Sequence, residues 1–202
     1  MDQPTPTTRV VDAALVARAT DILAAAFHQD PLWGWAFPDE SRRLEQHRAL
    51  WGLFLEGAIR YRWVRMNDSS TSVALWIPPG GAELTDEGQA RFEPLVNSLL
   101  GAGASRALDA FAALERGHPH DEPHFYLSLL GTDPQHLGHG HGLRLLADNL
   151  REIDALGMAA YLESSHPGNV ALYTRHGFAP HGVVEIPGGG PEITTMWRAP
   201  QS

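Results

Sequence analysis

The chain has 202 residues, of which 43% are hydrophobic, so it is long enough to bury one sizeable core. It contains no cysteine, which excludes disulfides, thiolate metal sites and a cysteine nucleophile. The formal net charge of −9 argues against broad nucleic-acid binding and weakly favours a neutral or cationic ligand.

Residues 1–9 are polar and rich in Pro and Thr, and we expect them to form a flexible tail ahead of a single domain over residues 10–202. This tail lacks the basic and apolar regions of a signal peptide. No apolar run in the chain approaches the length that spans a bilayer. These features predict a cytoplasmic protein that does not interact with membranes.

The first half of the chain mixes helical and extended patterns. Apolar residues over 15–27 recur at helical spacing, with Asp12 as the candidate N-cap. Pro31 is expected to break this pattern, and a second helix is expected from Asp39 or Ser41. Two strands, an interrupted helical region and a His/Pro-rich linker follow at 63–66, 73–77, 84–116 and 117–123.

The second half contains a strand, a glycine-rich loop and a helix in immediate succession. The apolar run Leu127–Thr132 precedes an Asp-Pro turn, three glycines at alternate positions, and an amphipathic segment that runs from Leu143 to a stop near Gly157. Free backbone N–H groups at the start of such a helix attract phosphate. A strand, a short helix and two final strands are expected at 158–162, 169–175, 178–186 and 193–197.

The glycine loop alone fits several ligands, or a flexible turn. It lacks the Gly-Lys-Ser/Thr end of a Walker loop, and its glycines do not match the dinucleotide pattern G-x-G-x-x-G. Nearby histidines raise the alternative of a metal- or nucleotide-binding module. Because neither histidine group matches H-E-x-x-H and cysteine is absent, we expect no metal. The two groups are His118, His120 and His124, and His136, His139 and His141.

Two segments resemble the signature motifs of the GNAT superfamily of N-acetyltransferases. The run from Leu137 to Gly142 resembles the acetyl-CoA motif Gln/Arg-x-x-Gly-x-Gly/Ala, with Leu137 where the family prefers Gln or Arg. A second register, with Gln135, Gly138 and Gly140 as the motif, satisfies the pattern literally. The register that starts at Leu137 fits the start of the helix better. The second segment has a strand, Asn169, a short helix with Tyr173, and then Gly-Phe, as in the family.

Two further segments, Val73–Gly80 and Thr195–Arg198, resemble the GNAT branch that includes puromycin N-acetyltransferase. The resemblance covers about residues 10–199. It implies an α/β fold whose mixed central sheet is splayed between two parallel strands and flanked by helices. It also implies an acyltransferase that moves an acetyl group from acetyl-CoA, its cosubstrate, to a primary amine of a small molecule by direct attack.

By this resemblance, residues on three segments would bind coenzyme A: a strand end, the glycine loop and the short helix. Tyr173 would also act as the general acid that protonates the departing thiolate. Asn169 would contact the cofactor or cap the helix. The predicted cofactor-binding residues are Leu130, Gly131, Thr132, Leu137, Gly138, His139, Gly140, His141, Gly142, Leu143, Asn169 and Tyr173.

Glu163 is the best candidate for the base that deprotonates the amine, either directly or through water, and an ion-paired carboxylate is the structural alternative. His124 and His166 are weaker candidates, because the sequence does not fix the direction of their side chains. The aromatic patch of Trp33, Trp35 and Phe37 lies where GNAT proteins often form the acceptor pocket, and packing at a helix corner is its alternative.

A different class of function is an acyl-CoA-binding sensor or regulator with the same fold and little turnover. The presence of Tyr173 and Glu163 argues against it, whereas Leu137 favours it. In either case the expected partner is a small molecule, with no nucleic acid and no membrane. The sequence is compatible with a monomer or a homodimer.

Overall fold

The computed structural model describes residues 8–201, in which seven strands form one mixed sheet. The strands are β1 (Thr8–Val10), β2 (Val64–Asn67), β3 (Ser72–Ile77), β4 (His124–Thr132), β5 (Ala159–Ser164), β6 (Ala179–Glu185) and β7 (Glu192–Arg198). Their order across the sheet is β1-β2-β3-β4-β5-β7-β6. Only β4 and β5 pair in parallel, and the other neighbours in this described sheet are antiparallel.

Helices cover both faces of the sheet. They are α1 (Val16–Ala26), α2 (Pro31–Ala36), α3 (Glu40–Ala58), α4 (Asp86–Leu100), α5 (Ala104–Gly117), α6 (His141–Ala155) and α7 (Pro167–Thr174). None of the helices in the described part of the chain combines the length and apolar character of a membrane span. The mixed sheet with one parallel pair and flanking helices confirms the predicted fold class.

Three local predictions need correction. Thr8 and Arg9 were expected in the flexible tail but form part of β1, which pairs with β2; residues 1–7 lie outside the described residues. Asp12 does not cap α1, because its carboxylate accepts a hydrogen bond from the Ala14 N–H in a turn that precedes the helix. The first helical pattern does end before Pro31, but Pro31 also starts the unpredicted helix α2, since proline suits the first helical position.

The two faces of the sheet bury separate hydrophobic clusters. The larger cluster lies between the sheet and α1 to α5, and Trp51 is its largest fully buried side chain. The smaller cluster lies between the sheet and α6, and Trp76 is fully buried there. The central strand β3 contributes to both clusters, with Leu75 on one side and Trp76 on the other. This double burial fixes the centre of the sheet, where the site lies.

Candidate active site

The parallel pairing of β4 and β5 stops partway along both strands. Register pairs run from His124↔Ala159 to Leu127↔Leu162, and no further pair joins the two strands within the described chain. Both strands continue past this point, to Thr132 and Ser164. A gap therefore opens between them, and backbone groups of its walls are available to a ligand. This is the predicted splay in the centre of the sheet.

A β-bulge in β4 lies at the mouth of this gap. Leu75 of β3 pairs with Leu129 and the next residue, Trp76, pairs with Leu127, so Ser128 is an extra residue on β4. Bulges occur often beside active sites, where they redirect a side chain. The Ser128 hydroxyl donates a hydrogen bond to Glu83 on the loop after β3.

A cavity of about 1400 Å³ surrounds the gap. A single drug-sized ligand usually occupies about 300–1,000 Å³, so this volume suits two ligands side by side. Of the residues predicted from sequence, those that line the cavity are Trp33, Leu130, Glu163, Asn169, Tyr173 and the alternative bases His124 and His166.

The glycine loop lies beyond the end of β4 and is not part of the cavity wall. Gly138 and Gly140 have φ angles of 80° and 70°, a left-handed conformation that favours glycine. Gly140 is the N-cap of α6 and no side chain caps the helix, so the first N–H groups of α6 stay available to an anion. A Cβ on Gly142 would lie 2.7 Å from Thr132 Oγ1, so this glycine allows α6 to approach β4.

The other predicted cofactor-binding residues are distributed around this loop. Leu137 is 62% exposed, and Leu143 packs partly on the smaller cluster. A Cβ on Gly131 would meet Ala26 of α1 at 2.9 Å, so glycine keeps α1 close to β4. The rings of His139 and His141 stack 5.9 Å apart.

Arg144 is a cation that sequence reasoning missed at this loop. Its guanidinium lies 3.0 Å from His141 Nδ1, and it is exposed one turn into α6. Loss of hydration, followed by the charge of Arg144, lowers the pKa of His141. A phosphate at the start of α6 would meet this guanidinium as well as the helix N–H groups.

Tyr173 is on α7, with its ring against Phe178 at a centroid distance of 6.1 Å. Its hydroxyl has no hydrogen-bond partner among residues 8–201. Burial, with a smaller contribution from the negative charge of Asp30, raises the pKa of Tyr173 to about 12. The phenol is therefore protonated at neutral pH and free to donate into the cavity.

The hydrogen bonds at the start of α7 distinguish the two predicted roles of Asn169, which are helix capping and cofactor contact. The N-cap of α7 is His166, whose Nδ1 accepts a hydrogen bond from the Gly168 N–H at 3.0 Å. Asn169 lies one turn further in, and its side chain lines the cavity. The capping role thus belongs to His166, and Asn169 is available to a ligand.

Asp30 and Ser165 form a polar pair on the cavity wall. Asp30 caps α2 by accepting hydrogen bonds from the N–H groups of Leu32 and Trp33 at 2.9 and 3.1 Å. Its second oxygen accepts a hydrogen bond from Ser165 Oγ at 2.6 Å. Burial raises the pKa of Asp30 against the lowering effect of these hydrogen bonds. The pair joins α2 to the end of β5 beside Tyr173.

Glu163 lies on the cavity wall with both carboxylate oxygens occupied by phenol donors. Tyr126 donates to Oε2 at 2.8 Å and Tyr161 donates to Oε1 at 3.1 Å. His118 Nδ1 lies 3.7 Å from Oε1. The Glu163 side chain is only 5% exposed. It is held as a fixed negative group that faces the cavity.

His124 is part of a histidine pair behind Glu163. Its Nδ1 lies 2.7 Å from the Glu122 carbonyl oxygen and must donate, because a carbonyl oxygen only accepts. Its Nε2 lies 3.1 Å from His118 Nε2. Burial lowers the pKa of His124. In the described residues no group of three or more His, Cys, Asp or Glu side chains has an arrangement that holds a metal ion.

Glu83 is the carboxylate that sequence reasoning missed. It lies on the loop between β3 and α4 and lines the cavity near Glu163 and His118. The sequence offered only the preceding Pro-Pro-Gly-Gly turn as a signal, and that pattern does not specify where the next side chain points.

The structure separates the three residues of the predicted aromatic patch. Trp33 lines the cavity and makes an edge contact with Trp51 at 4.9 Å. Trp35 instead packs on the Arg106 guanidinium, 5.3 Å away, outside the cavity. Phe37 is fully buried and does not line the cavity, because it packs in the core against His47. Packing therefore explains Trp35 and Phe37, and only Trp33 remains a candidate for acceptor contact.

Comparison with solved structures agrees with this architecture, although no family model matches the sequence. A structure described as histone acetyltransferase HPA2 and related acetyltransferase from Corynebacterium glutamicum is 26% identical, with a TM-score of 0.70 and 98% of each chain covered. Two insect proteins share the fold at lower identity. The Drosophila melanogaster polyamine N-acetyltransferase that forms N-acetylagmatine is 15% identical, with a TM-score of 0.59. The mosquito arylalkylamine N-acetyltransferase-like protein 5b is 17% identical, with a TM-score of 0.56.

Each of these two insect comparisons covers 95% of this chain and 98% of the other chain. The likeness thus extends over nearly the whole chain. The chain has the GNAT fold, and solved structures that share it are described as acetyltransferases.

Proposed function

We propose that the protein transfers the acetyl group of acetyl-CoA to a primary amine of a small molecule by direct attack. The observation that carries this proposal is the placement of the uncommitted Tyr173 hydroxyl in a cavity at the β4–β5 gap, together with the carboxylates of Glu163 and Glu83. A proton donor and negative groups in one cavity are what the reaction of an ammonium with a thioester requires.

The residues present fit coenzyme A at two places. The uncapped start of α6, after two left-handed glycines, supplies N–H donors for a pyrophosphate, and Arg144 adds a positive charge. The gap supplies unpaired backbone groups of β4 for amides of the pantetheine arm. Acetyl-CoA would provide an activated acetyl thioester at this gap. Leu137 contributes no polar side chain, so backbone groups would make most of the loop contacts.

Different groups in the cavity would carry out different parts of this reaction. Backbone N–H groups at the gap would stabilise negative charge on the thioester oxygen. Tyr173 would give its proton to the departing thiolate sulfur. Glu163, which we predicted as the base, has both oxygens engaged by phenols, so its contribution would be a negative potential that attracts the ammonium into the cavity. Trp33 would contact the apolar part of the acceptor.

The acceptor class is supported by the protein itself and by its structural neighbours. Glu83 lines the cavity with no ion pair among residues 8–201, which favours a cationic acceptor. Among the neighbours, one is described as forming N-acetylagmatine and another as an arylalkylamine N-acetyltransferase-like protein. The resemblance to the puromycin N-acetyltransferase branch does not by itself set the acceptor. A cytoplasmic location and the absence of nucleic-acid partners remain predictions from the sequence.

The proposal is tested by ligand binding followed by turnover. Acetyl-CoA at about 100 times its Kd should stabilise the protein by about 2.7 kcal/mol. Thiol release should then depend on a primary amine from a panel that includes agmatine and 2-phenylethylamine. N,N-dimethyl-2-phenylethylamine is the matched control, because it cannot form a neutral amide.

Three other outcomes contradict the proposal in different ways. Stabilisation by acetyl-CoA without turnover of any amine would favour the acyl-CoA sensor. Stabilisation by zinc or ATP, with none by acetyl-CoA, would favour a metal- or nucleotide-binding module. Equal thiol release with and without the primary amine would indicate simple thioester hydrolysis.

A further inference from the structure

Glu83 lies in the cavity without a cationic partner. Ser128 Oγ donates to its Oε1, whereas Oε2 has no hydrogen-bond donor and the carboxylate no ion pair within residues 8–201. The Arg60 guanidinium lies beside the loop that carries Glu83, but it donates its hydrogen bonds to the backbone oxygens of Gly57, Ala82 and Leu84. A half-buried carboxylate with an open oxygen is costly unless a ligand completes it.

Three residues at the end of α3 and just after it fix the loop on both sides of Glu83. Arg60 donates to the carbonyl oxygens of Ala82 at 2.8 Å and Leu84 at 3.1 Å. The Tyr61 hydroxyl accepts a hydrogen bond from the Ala82 N–H at 2.9 Å. Gly57 has no Cβ, and one placed there would collide with the Glu83 carbonyl oxygen.

We call the set of Gly57, Arg60 and Tyr61 the Glu83 clamp. The clamp holds the backbone, and the Ser128 hydroxyl, redirected by the β4 bulge, holds the carboxylate. Glu83 is therefore fixed at the mouth of the β4–β5 gap by four residues from two other parts of the fold. Such positioning is typical of a group whose precise location matters for chemistry.

We propose that Glu83 binds the ammonium group of the acceptor and accepts its proton, while Ser128 and the Glu83 clamp act as positioning residues. This inference rests on the proposed acetyl transfer. Glu83 is chosen over Glu163 because both oxygens of Glu163 already accept phenol hydrogen bonds, whereas Oε2 of Glu83 is open to a donor from the substrate.

The proton and bond changes balance without another reactant. One N–H bond of the ammonium breaks, and its proton forms an O–H bond with Glu83 Oε2. The freed nitrogen lone pair forms the C–N bond to the thioester carbonyl carbon, the C–S bond breaks, and Tyr173 gives its proton to sulfur. The nitrogen then loses a second proton, which restores Tyr173 through solvent, and Glu83 releases its proton to solvent.

The surroundings of Glu83 set the pH range in which its carboxylate can accept a proton from the ammonium. Burial raises the pKa of Glu83 to about 7, and the Ser128 hydrogen bond lowers it in part. Charged Glu163 raises this pKa and His118 lowers it. Since the carboxylate is the active form, kcat/KM should fall as the pH drops through about 7. The titratable and charged groups that face Glu83 are Glu163, His118, Glu115, Tyr126 and Arg60.

The test uses the full-length protein, acetyl-CoA and the panel amine that the wild type acetylates with the highest kcat/KM. Glu83→Gln should lower kcat by about 10²- to 10⁴-fold, remove the acidic limb of the pH profile and leave the Kd of acetyl-CoA unchanged. Glu83→Asp should recover part of this loss. Glu45→Gln, at an exposed position on α3, is the matched control and should behave as wild type.

Ser128→Ala provides a readout that a folding defect does not produce. Because the Ser128 hydrogen bond lowers the pKa of Glu83, its removal should shift the acidic limb to higher pH. Above that limb kcat should fall by less than in Glu83→Gln, because the carboxylate remains but loses one positioning contact. A wild-type pH profile in Glu83→Gln, or an unshifted limb in Ser128→Ala, would overturn the assignment of Glu83 alone. Failure of the wild type to acetylate any panel amine would instead overturn the proposed function.

Discussion

The Tyr173 hydroxyl is placed where a proton donor would serve the reaction, yet it makes no hydrogen bond within residues 8–201. Its ring packs beside Phe178, so the position of the hydroxyl is set by packing rather than by a polar partner. Burial raises its pKa to about 12, which keeps the phenol protonated across the pH range of ordinary assays. The hydroxyl is thus free to donate a hydrogen bond to a ligand in the cavity, which in the proposed reaction is the leaving thiolate.

We predict that Tyr173→Phe lowers kcat by about 10²-fold, because the ring is kept and only the proton donor is removed. The Kd of acetyl-CoA, measured by calorimetry, should stay at the wild-type value. The free energy of unfolding serves as the control for packing. A variant with wild-type kcat would show that Tyr173 is not the general acid.

Sequence patterns identified the residues of the site that lie inside its two motifs. Tyr173 and Asn169 follow directly from the second motif, and both line one cavity with Glu163. Glu83 could not be found in this way. Glu83 points into the cavity only because Gly57, Arg60 and Tyr61 fix its loop, and these contacts join residues more than 20 positions apart.

At the scale of elements, the start of α6 decides whether the glycine loop can hold an anion. Gly140 begins the helix in a left-handed conformation and leaves its first N–H groups uncapped. Gly142 lets the first turn lie against Thr132, whose hydroxyl lies 2.9 Å from Ser72 Oγ on β3. The orientation of the helix start is therefore tied to the sheet.

We predict that Gly142→Val weakens acetyl-CoA binding by about tenfold, because the new Cβ would push the first turn of α6 away from Thr132. Calorimetric titration measures this Kd. Gly157→Asn, just after the other end of the same helix, is the control: its position has a φ of 66° and open space around it. Equal Kd values for both variants would exclude a role for the α6 start in binding.

Elements with strong periodicity were predicted correctly, and so was the short helix α7, whereas the short helix α2 was not. The helical spacing that starts from Leu143 marked α6, and the apolar run 73–77 marked β3. Pro31 was interpreted as a breaker, although the Asp30 cap turns it into the first residue of α2. A proline at such a position supports either structure, and the choice depends on whether the preceding side chain captures the free N–H groups.

At the scale of the whole molecule, one ion pair ties three distant segments together. The Arg198 guanidinium at the end of β7 binds both carboxylate oxygens of Asp154 on α6, at 2.6 and 2.7 Å. Its Nε also donates to the His176 carbonyl oxygen at 2.8 Å, after α7. Both side chains are largely buried, so this pair differs from the exposed pairs on the surface.

We predict that Arg198→Met lowers the free energy of unfolding at pH 7 by about 3 kcal/mol, because it leaves a buried carboxylate without its partner. The Arg198 hydrogen bond lowers the pKa of Asp154, so this stabilisation is present above the usual aspartate pKa. It is lost as the pH falls through the lowered pKa, and the difference from wild type should shrink in acid.

Urea denaturation over a pH series measures both effects. Arg48→Met is the matched control, because Arg48 and Asp21 form an exposed pair that should contribute about 0–1 kcal/mol. A similar loss of unfolding free energy in both variants would show that the buried Arg198–Asp154 pair stabilises the fold no more than the exposed Arg48–Asp21 pair does.

The gap between β4 and β5 also creates strand edges inside the molecule, and the protein treats its inner and outer edges differently. An open edge can recruit a strand from another chain and so begin aggregation. On the outside, β1 has three residues, and β6 contains Pro180 and a bulge, both of which hinder such pairing. The inner edges lie within a cavity flanked by helices, where a slender small-molecule ligand can reach them. The fold thereby leaves unpaired backbone groups facing the cavity, whereas its outer edges are poorly suited to pairing with another strand.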